Sequence, residues 1–277
     1  MFFLNFIFFS VLSLSQASLA QIFDGVNGDK ASLEKVLNHA EESQVVILTE
    51  LHGHFPHHQN QRNFLVGMVQ RQSRVVSIGM EHFPYPLQGT VDKYIRDELN
   101  EADFLDQMGW GKGLSFDHYR FQVRLPRFTG GSTLALNIPR SISGKVARQG
   151  LDSLSEEERR LLPPLYDRGS DEYFERFKKI MENHVPEHML ENYFLAQSLW
   201  DDTMAWSSAR HLANHPEDLL VILVGDFHAN YGHGLVERLY ANGVKDVLVI
   251  SQVLEKKQTE PHPIYGPRAD FVWVVED

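Results

Sequence analysis

Apolar residues form three nearly unbroken runs in this chain, at positions 45–48, 75–80 and 219–224. Runs of this kind, rich in Val, Ile and Leu, are typical of strands that are buried on both faces of a parallel sheet. Shorter runs at 133–138, 247–250 and 271–275 predict further strands. The first three runs are followed by acids and histidines: Glu50 and His52, Glu81 and His82, and Asp226 and His228.

Segments with apolar residues three or four positions apart alternate with these runs and predict helices. They lie at 31–42, 61–71, 98–110, 119–128, 155–162, 186–214 and 235–241. Residues 52–60 carry four histidines and are predicted to be a loop. The alternation predicts one α/β domain over 21–277 with a mostly parallel central sheet. Its mainly helical stretch, about 144–214, is expected to form a subdomain over the carboxyl ends of the strands.

The acids and histidines after the runs are the main candidates for chemistry. In open α/β sheets, ligands bind in the crevice beyond the carboxyl ends of the strands, so these side chains are expected around one mouth. Glu50 and His52 are two positions apart, and an extended backbone would point both to the same side. Carboxylates and imidazoles that converge there can hold a metal ion or a metal-bearing cofactor, or move protons.

Two other segments are candidates for ligand contact. His54, His57 and His58 could contribute metal ligands, although a His-rich loop can also be simply exposed. Residues 109–124 mix glycine with aromatic side chains such as Trp110 and Tyr119, which could line a flat apolar ligand or belong to the core. The sequence contains no phosphate-binding fingerprint, no G-x-S-x-G elbow and no H-E-x-x-H motif.

The composition limits the classes of function. The chain has 277 residues, 43% of them hydrophobic and 23% charged, which is typical of a globular protein with a large core. Its formal net charge of −11 provides no basic surface for nucleic acid. The absence of cysteine excludes disulfides, Cys-ligated zinc, thiolate-bound haem and a lipid-modified N-terminal cysteine.

Residues 1–20 have the character of a targeting segment. They are mostly apolar, carry no charged side chain and end in Ser18-Leu19-Ala20, a small-x-small pattern that precedes cleavage. We predict a cleaved secretory signal peptide, although the usual Lys or Arg at its start is missing; the alternative is an uncleaved anchor. The mature protein is therefore expected to be periplasmic or secreted.

Five separated segments follow the order of one known pattern. They are Glu50-Leu51-His52 with His58 and Gln61, Gly79-Met80-Glu81-His82-Phe83, Asn137-Ile138-Pro139-Arg140, Ala196-Gln197 through Met204-Ala205, and Gly225-Asp226-Phe227-His228. Together they resemble the ChaN-like haem-binding uptake family, within the superfamily that includes Tiki, TraB and erythromycin esterase. The resemblance runs from about 44 to 250. Thr49 stands where the first motif of the family usually has glycine.

This resemblance implies helices on both faces of the sheet and a periplasmic or outer-membrane-associated protein that binds haem for haem or iron uptake. The implied partners are haem, a second copy of the chain that pairs two haems across a dimer, and an outer-membrane haem-uptake machinery. The iron ligand would be a tyrosine or a histidine, with these candidates: Tyr85, Tyr119, His54 and His58. The haem propionates would meet Arg140 or Arg124.

The same resemblance implies an alternative, because Tiki-like members are metal-dependent proteases that use two glutamates and the histidine of a G-x-x-H motif. The matching positions are Glu50, Glu81 and His228, with His52 as a further ligand or an orienting partner. Such residues suit Mn, Co, Zn or Fe, and an ion held there would lower the pKa of a bound water. A third interpretation is a non-catalytic α/β scaffold. Haem binding is the first choice, and a metal-dependent hydrolase is the second.

Overall fold

The structure is a computed structural model that describes residues 21–111 and 113–275, so the predicted signal peptide, 1–20, lies outside the described residues. Within these ranges the strands are β1 (Gln21–Asp24), β2 (Lys30–Ala31), β3 (Val45–Glu50), β4 (Val76–Pro84), β5 (Thr133–Asn137), β6 (Leu219–Gly225), β7 (Val247–Val253) and β8 (Phe271–Val274). The α-helices are α1 (Leu33–Glu42), α2 (Phe55–Arg71), α3 (Gln88–Ile95), α4 (Glu101–Gln107), α5 (Arg120–Arg124), α6 (Pro126–Thr129), α7 (Arg140–Gln149), α8 (Glu156–Arg159), α9 (Asp171–Met181), α10 (Leu190–Asn214) and α11 (Leu235–Ala241).

The strands form one sheet in the order β2-β1-β8-β7-β3-β6-β4-β5. The pairs from β8 through β5 are parallel, whereas β1 runs antiparallel to both β2 and β8. The predicted mostly parallel sheet is confirmed. Because β3, β6 and β4 are neighbours that run in one direction, their carboxyl ends lie side by side at one edge of the sheet.

Successive residues of the central strands alternate between two cores. Val46 and Leu48 pack in a core with α1 and α2, whereas Val45 and Ile47 pack in a core with α10 and α11. The predicted helices on both faces are therefore confirmed. Every residue of β3 and β6 is buried, since both faces of the sheet are covered, and this is why the sequence of these strands is apolar throughout.

Helix α10 connects the sheet to the remaining helices. Its second half packs on the sheet through Met204 and Leu212. Its first half packs on α7 through Leu199 and on α9 through Phe194. The predicted helical elaboration is thus present, while its treatment as a subdomain with bounds near 144–214 stays a prediction. Ser155 and Glu158 form the predicted capping box at the start of α8.

The structure corrects two element predictions. The predicted loop 52–60 is wrong beyond residue 54, because α2 already begins at Phe55. Pro56, which suggests a loop in sequence, is compatible with the first helical turn, where its missing N–H would have no intrahelical partner. The predicted helix 119–128 is divided into α5 and α6, with Pro126 starting the second. Among the helices of the described residues, none is long and apolar enough to cross a membrane.

Candidate functional site

Four predicted side chains converge at the carboxyl ends of β3, β4 and β6. Nδ1 of His52 lies 2.9 Å from Oε1 of Glu50, and Nε2 of the same ring lies 3.6 Å from Oε2 of Glu81. Nε2 of His228 lies 3.4 Å from Oε1 of Glu81. Carboxylates and imidazoles therefore alternate through Glu50, His52, Glu81 and His228, which we name the acid–histidine centre.

Glu50, the last residue of β3, is buried and accepts hydrogen bonds on both oxygens. Tyr119 donates its hydroxyl at 2.5 Å, and Gln61 donates its amide at 2.7 Å. Burial by itself would raise the pKa of Glu50, but the hydrogen bond from His52 and the nearby imidazoles of His82 and His58 lower it well below its usual range. Glu50 is therefore ionised and fixed in position at neutral pH.

Glu81 occupies the middle of the centre, and its approach to His52 depends on a glycine. The backbone N–H of Gly225 donates to Oε2 of Glu81 at 2.6 Å. A Cβ added at Gly225 would lie 3.0 Å from Nε2 of His52, so the ring would have to shift by a few tenths of an ångström. The backbone at the end of β6 thus supplies a hydrogen-bond donor, and the missing side chain of Gly225 leaves room for the His52 ring in this position.

His228 is oriented by a carboxylate from helix α10. Nδ1 of His228 donates to Oδ1 of Asp201 at 2.5 Å, so that Nε2 faces Glu81. Asp201 is fully buried and also accepts the Tyr173 hydroxyl at 2.8 Å. The amide of Gln197 lies against the same imidazole. The sequence placed Gln197 and Asp201 on one helix face but did not identify Asp201 as a partner of His228.

The centre carries two imidazoles with raised basicity. Burial alone would lower the pKa of His52, but its hydrogen bonds to Glu50 and Glu81 raise it to about 10. Burial likewise opposes the charged form of His228, and the charges of Asp201 and Glu81 raise its pKa to about 10. At neutral pH, both rings are therefore imidazolium ions between ionised carboxylates.

The predicted haem ligands occupy other places. Tyr119 is fully buried and its hydroxyl is bonded to Glu50, while the Tyr85 hydroxyl donates to the carbonyl of Leu161. His58 is buried in α2, with Nδ1 3.1 Å from the amide oxygen of Gln61. Tyr119 and His58 are therefore shielded from a surface ligand, whereas the Tyr85 ring is half-buried. The roles of these residues as haem ligands stay predictions.

Of the other histidines of the predicted loop, His57 is buried and His54 is half-buried. His57 accepts the backbone N–H of Leu51 at 2.9 Å, and its ring contacts that of His54, with centroids 4.3 Å apart. Burial, followed by the charge of His54, lowers the pKa of His57 to about 4, so the ring is neutral. His57 thus supports the start of α2 and the turn after β3.

Asp226 follows β6 but does not join the acid–histidine centre. Its oxygens accept hydrogen bonds from four side chains: Thr49, Ser251, Asn230 and Arg268. With both oxygens occupied, the Asp226 carboxylate ties the turn after β6 to β3 and β7. Thr49 has a structural use here as well, since its hydroxyl also accepts the backbone N–H of Gln252 at 3.0 Å.

Two cavities meet at the acid–histidine centre. A wide cavity of about 510 Å³ opens over Glu50, His52, Glu81 and His228. A narrower cavity of about 370 Å³ lies on the other side, between the loop around Trp110 and the start of α7, and its lining includes Glu81, Trp200 and Arg140. Glu81 and Trp200 line both cavities, so a ligand in either one would lie next to the centre.

A family model described as haem-binding uptake, Tiki superfamily, ChaN, matches residues 36–239. The chain belongs to this family. The resemblance found in the sequence is thereby confirmed. No curated protein sequence matches the chain at a significant level.

Solved structures share the fold of this ChaN-family chain. ChaN of Campylobacter jejuni, described as binding haem cofacially, has a TM-score of 0.69 and 17% identity over 93% of this chain and 97% of that one. The type III effector HopBA1 has a TM-score of 0.50 and 10% identity over 95% and 100%. A mutant of the erythromycin esterase EreC has a TM-score of 0.48 and 12% identity over 79% and 72%. At these identities the first two similarities establish the fold alone.

Two residues of the acid–histidine centre and the neighbouring His82 have the donor atoms of a metal site. Glu50, His52 and His82 each offer one ligand atom within 4.8 Å of the others. One carboxylate oxygen and two imidazole nitrogens form a set that suits a divalent transition ion. Because His52 is charged at neutral pH, it would have to release a proton before it could ligate an ion.

A second group of aromatic and imidazole rings lies beyond Arg268, and the sequence analysis missed it. This tyrosine–histidine cluster consists of Tyr231, His233, His262 and Tyr265, with neighbouring ring centroids between 4.5 and 5.8 Å apart. Nη1 of Arg268 lies 3.4 Å from the Tyr231 hydroxyl. The sequence points to part of this cluster, because Tyr231 follows the G-x-x-H motif by three positions. His262 and Tyr265 are brought near it only by the fold.

Proposed function

We propose that this ChaN-family protein binds haem and takes part in haem or iron uptake. Its family is described as haem-binding uptake, and its fold is similar to that of Campylobacter jejuni ChaN, described as binding haem cofacially. The observation on this chain that carries the proposal is the tyrosine–histidine cluster, in which half-buried phenol and imidazole rings lie beside two guanidinium groups.

Tyr231 is the best candidate for the iron ligand. Its ring is half-buried, whereas the Tyr119 ring is fully buried with its hydroxyl bonded to Glu50, and the His58 ring is buried as well. Tyr231 adopts φ +64°, a left-handed conformation that is uncommon for a tyrosine and costs about 1–3 kcal/mol. The cost is offset by the backbone, because Tyr231 N–H donates to the carbonyl of Arg268 at 2.7 Å.

The surroundings of Tyr231 fit the remaining parts of haem. The rings of His262 and Tyr265 are stacked with centroids 4.5 Å apart and provide a flat surface for a porphyrin. The guanidinium of Arg176 lies 4.7 Å from the centre of the Tyr231 ring but is buried, so the half-buried Arg268, which also pairs with Asp226, is the better candidate to meet a propionate. Haem held by tyrosine or histidine here would supply redox-active iron, with the ligand setting its potential.

A haemin titration of the mature protein tests this proposal. We expect a saturable Soret band, with Tyr231→Phe weakening haemin binding about tenfold or more, because the phenolate ligand is lost. Tyr240→Phe is the matched control, since Tyr240 is exposed on α11 outside the cluster. Equal haemin binding and equal spectra for the wild type and Tyr231→Phe would contradict Tyr231 as the ligand.

We further propose that the protein is exported and that haem binding takes place in the periplasm. The predicted signal peptide supports export, and cleavage after Ala20 would leave Gln21 as the first residue. N-terminal sequencing of the protein recovered from a periplasmic extract is the test. The same proposal includes a homodimer that pairs two haems and contact with an outer-membrane haem-uptake machinery. Sedimentation of the protein with and without haemin tests the dimer.

We also propose a second function, hydrolysis at the acid–histidine centre. It is favoured by the ordered arrangement in which Asp201 fixes His228 and His228 faces Glu81 below an open cavity. At neutral pH the imidazolium Nε2–H groups of His52 and His228 could donate a proton to a leaving group or stabilise a developing oxyanion. A divalent ion held by Glu50, His52 and His82 would supply Lewis acidity and an activated water.

Hydrolysis is tested with ester and peptide substrates on protein treated with a chelator and then supplied with Mn, Co or Zn. Glu81→Gln and His228→Asn are expected to lower the rate by about 10²–10⁴-fold, because each removes a proton-transfer or electrostatic group. His188→Asn is the control, since this histidine is exposed and far along the chain from the centre. Turnover that survives unchanged in Glu81→Gln would exclude the centre as the site of hydrolysis.

A further inference from the structure

The narrow cavity beside the acid–histidine centre has the features of a separate ligand site. It measures about 370 Å³ and lies between residues 108–111 with 113–114 and the start of α7. That volume is at the small end of the range for small-molecule sites, so it suits a group the size of one amino-acid derivative. The tyrosine–histidine cluster takes no part in its lining, and the cavity is therefore distinct from the proposed haem site.

The cavity walls are mainly apolar and are held in place before any ligand binds. They are formed by these residues: Pro84, Met108, Trp110, Leu114 and Ile138. The Trp110 indole N–H donates to the carbonyl of Leu114 at 2.8 Å, and its ring meets the edge of His82, with centroids 5.5 Å apart. A fixed indole is a good partner for another aromatic ring, which it would contact edge-on or offset.

One charged group at this cavity has no partner. Arg140 is exposed at the start of α7, and among the described residues its guanidinium lies in no salt bridge. A guanidinium forms charge-assisted hydrogen bonds with a carboxylate, so a carboxylate ligand would supply the missing partner.

Among the described lining residues, Arg140 is the place where an anion is favoured. Glu81 is buried and would repel an anionic group, whereas Arg140 is exposed and would attract one. An anion at Arg140 would also lie near the first turn of α7, whose dipole favours negative charge.

We propose that this cavity binds a small aromatic carboxylate. Its carboxylate pairs with Arg140 and its ring packs on Trp110. An N-acylated aromatic amino acid has both parts. The proposal stands on the cavity alone, so it can hold whether or not the chain binds haem or hydrolyses a substrate.

Three probes separate the contributions of charge and ring: N-acetyl-L-phenylalanine, its uncharged amide, and N-acetylglycine. Calorimetry is expected to give a dissociation constant on the order of 1 mM for the first probe, as suits a ligand of this size. The amide should bind about tenfold or more weakly because the charge-assisted hydrogen bond is lost, and N-acetylglycine should not bind measurably. The indole N–H resonance of Trp110 should shift with N-acetyl-L-phenylalanine, while that of the buried Trp273 should not.

Matched arginine variants locate the site. Arg140→Gln should weaken binding of N-acetyl-L-phenylalanine about tenfold and leave the amide unchanged, because only the acid pairs with the guanidinium. Arg148→Gln, exposed on the same helix, should leave both probes unchanged. Both variants replace exposed side chains, so they are expected to fold. Equal binding of acid and amide, absence of any binding, or the same loss in both variants would overturn the proposal.

Discussion

Oδ1 of Asp201 lies 2.5 Å from Nδ1 of His228, although the two residues are 27 positions apart in the chain. This contact joins the middle of α10 to the turn after β6, and it decides which nitrogen of His228 faces Glu81. Metal-binding and catalytic histidines commonly donate their second N–H to a carboxylate, which fixes the tautomer and the orientation of the ring. The Asp201–His228 pair therefore holds Nε2 of His228 toward Glu81, which suits both metal binding and proton transfer at the centre.

Asp201→Asn should destabilise the protein and release the His228 ring. The buried His228 ion would lose one of its two carboxylate partners, and Tyr173 would lose an anionic acceptor. We expect the free energy of unfolding in urea to fall by about 1–3 kcal/mol. Asp152→Asn, at an exposed carboxylate, should change it by no more than about 0.5 kcal/mol. Equal stability of wild type and Asp201→Asn would mean that the Asp201–His228 contact makes no net contribution to the free energy of unfolding.

Gly225→Ala should disturb the centre more than the fold. The new methyl group would meet the His52 ring at 3.0 Å and push it from Glu81. We expect a shift of the His52 resonances and a stability loss of about 1–3 kcal/mol from overpacking. Gly89→Ala, within α3 and facing open space, is the control and should be neutral or stabilising by up to about 1 kcal/mol. An unmoved His52 ring in Gly225→Ala would show that the glycine is not needed for the approach.

The stability of the protein should decrease as the pH rises from neutral. The pKa of His228 is about 10 in the folded protein and near 6.5 when unfolded, so its contribution is complete below pH 6.5 and is lost as the pH rises through 10. Loss of this contribution should lower the free energy of unfolding by a few kcal/mol, on the order of 1.4 kcal/mol per pKa unit.

Glu81→Gln provides the comparison for this pH dependence. Without the Glu81 charge the folded pKa of His228 should fall, and the decline in stability should be shallower. Thermal unfolding between pH 6 and about 10 would measure both slopes. Glu187→Gln, at an exposed carboxylate, should keep the wild-type slope. Parallel curves for wild type and Glu81→Gln would show that the His228–Glu81 pair does not set the pH dependence.

Tyr119→Phe should destabilise the protein although it keeps the ring. The hydroxyl donates to Glu50 at 2.5 Å, and its loss removes one of three hydrogen bonds to a buried carboxylate. We expect a loss of about 1–3 kcal/mol in urea unfolding. Tyr166→Phe, at an exposed tyrosine, should be within about 0.5 kcal/mol of wild type. Haemin binding should be the same in both variants, because Tyr119 lies inside the core.

Several features of the site could be predicted from the chain alone because they depend on local pattern. Apolar runs identified β3, β4 and β6, and the rule for parallel sheets put Glu50, Glu81 and His228 at one edge. Local pattern was less reliable where one residue has two structural uses. Residues 52–60 were predicted to be a loop with His57 and His58 as open candidates, but Pro56 suits the first turn of a helix, so α2 starts at Phe55 and buries both rings.

The sequence by itself determined the α/β class, the mostly parallel sheet and the residues that the strand ends present, since hydrophobic runs report burial and strand direction follows from the helices between them. Only the tertiary structure decided which partners those residues have. Asp201 reaches His228 because α10 crosses the strand ends, and Tyr231 meets His262 because β7 and β8 bring the chain back to it. Such long-range contacts depend on distance in space, which spacing along the chain does not encode.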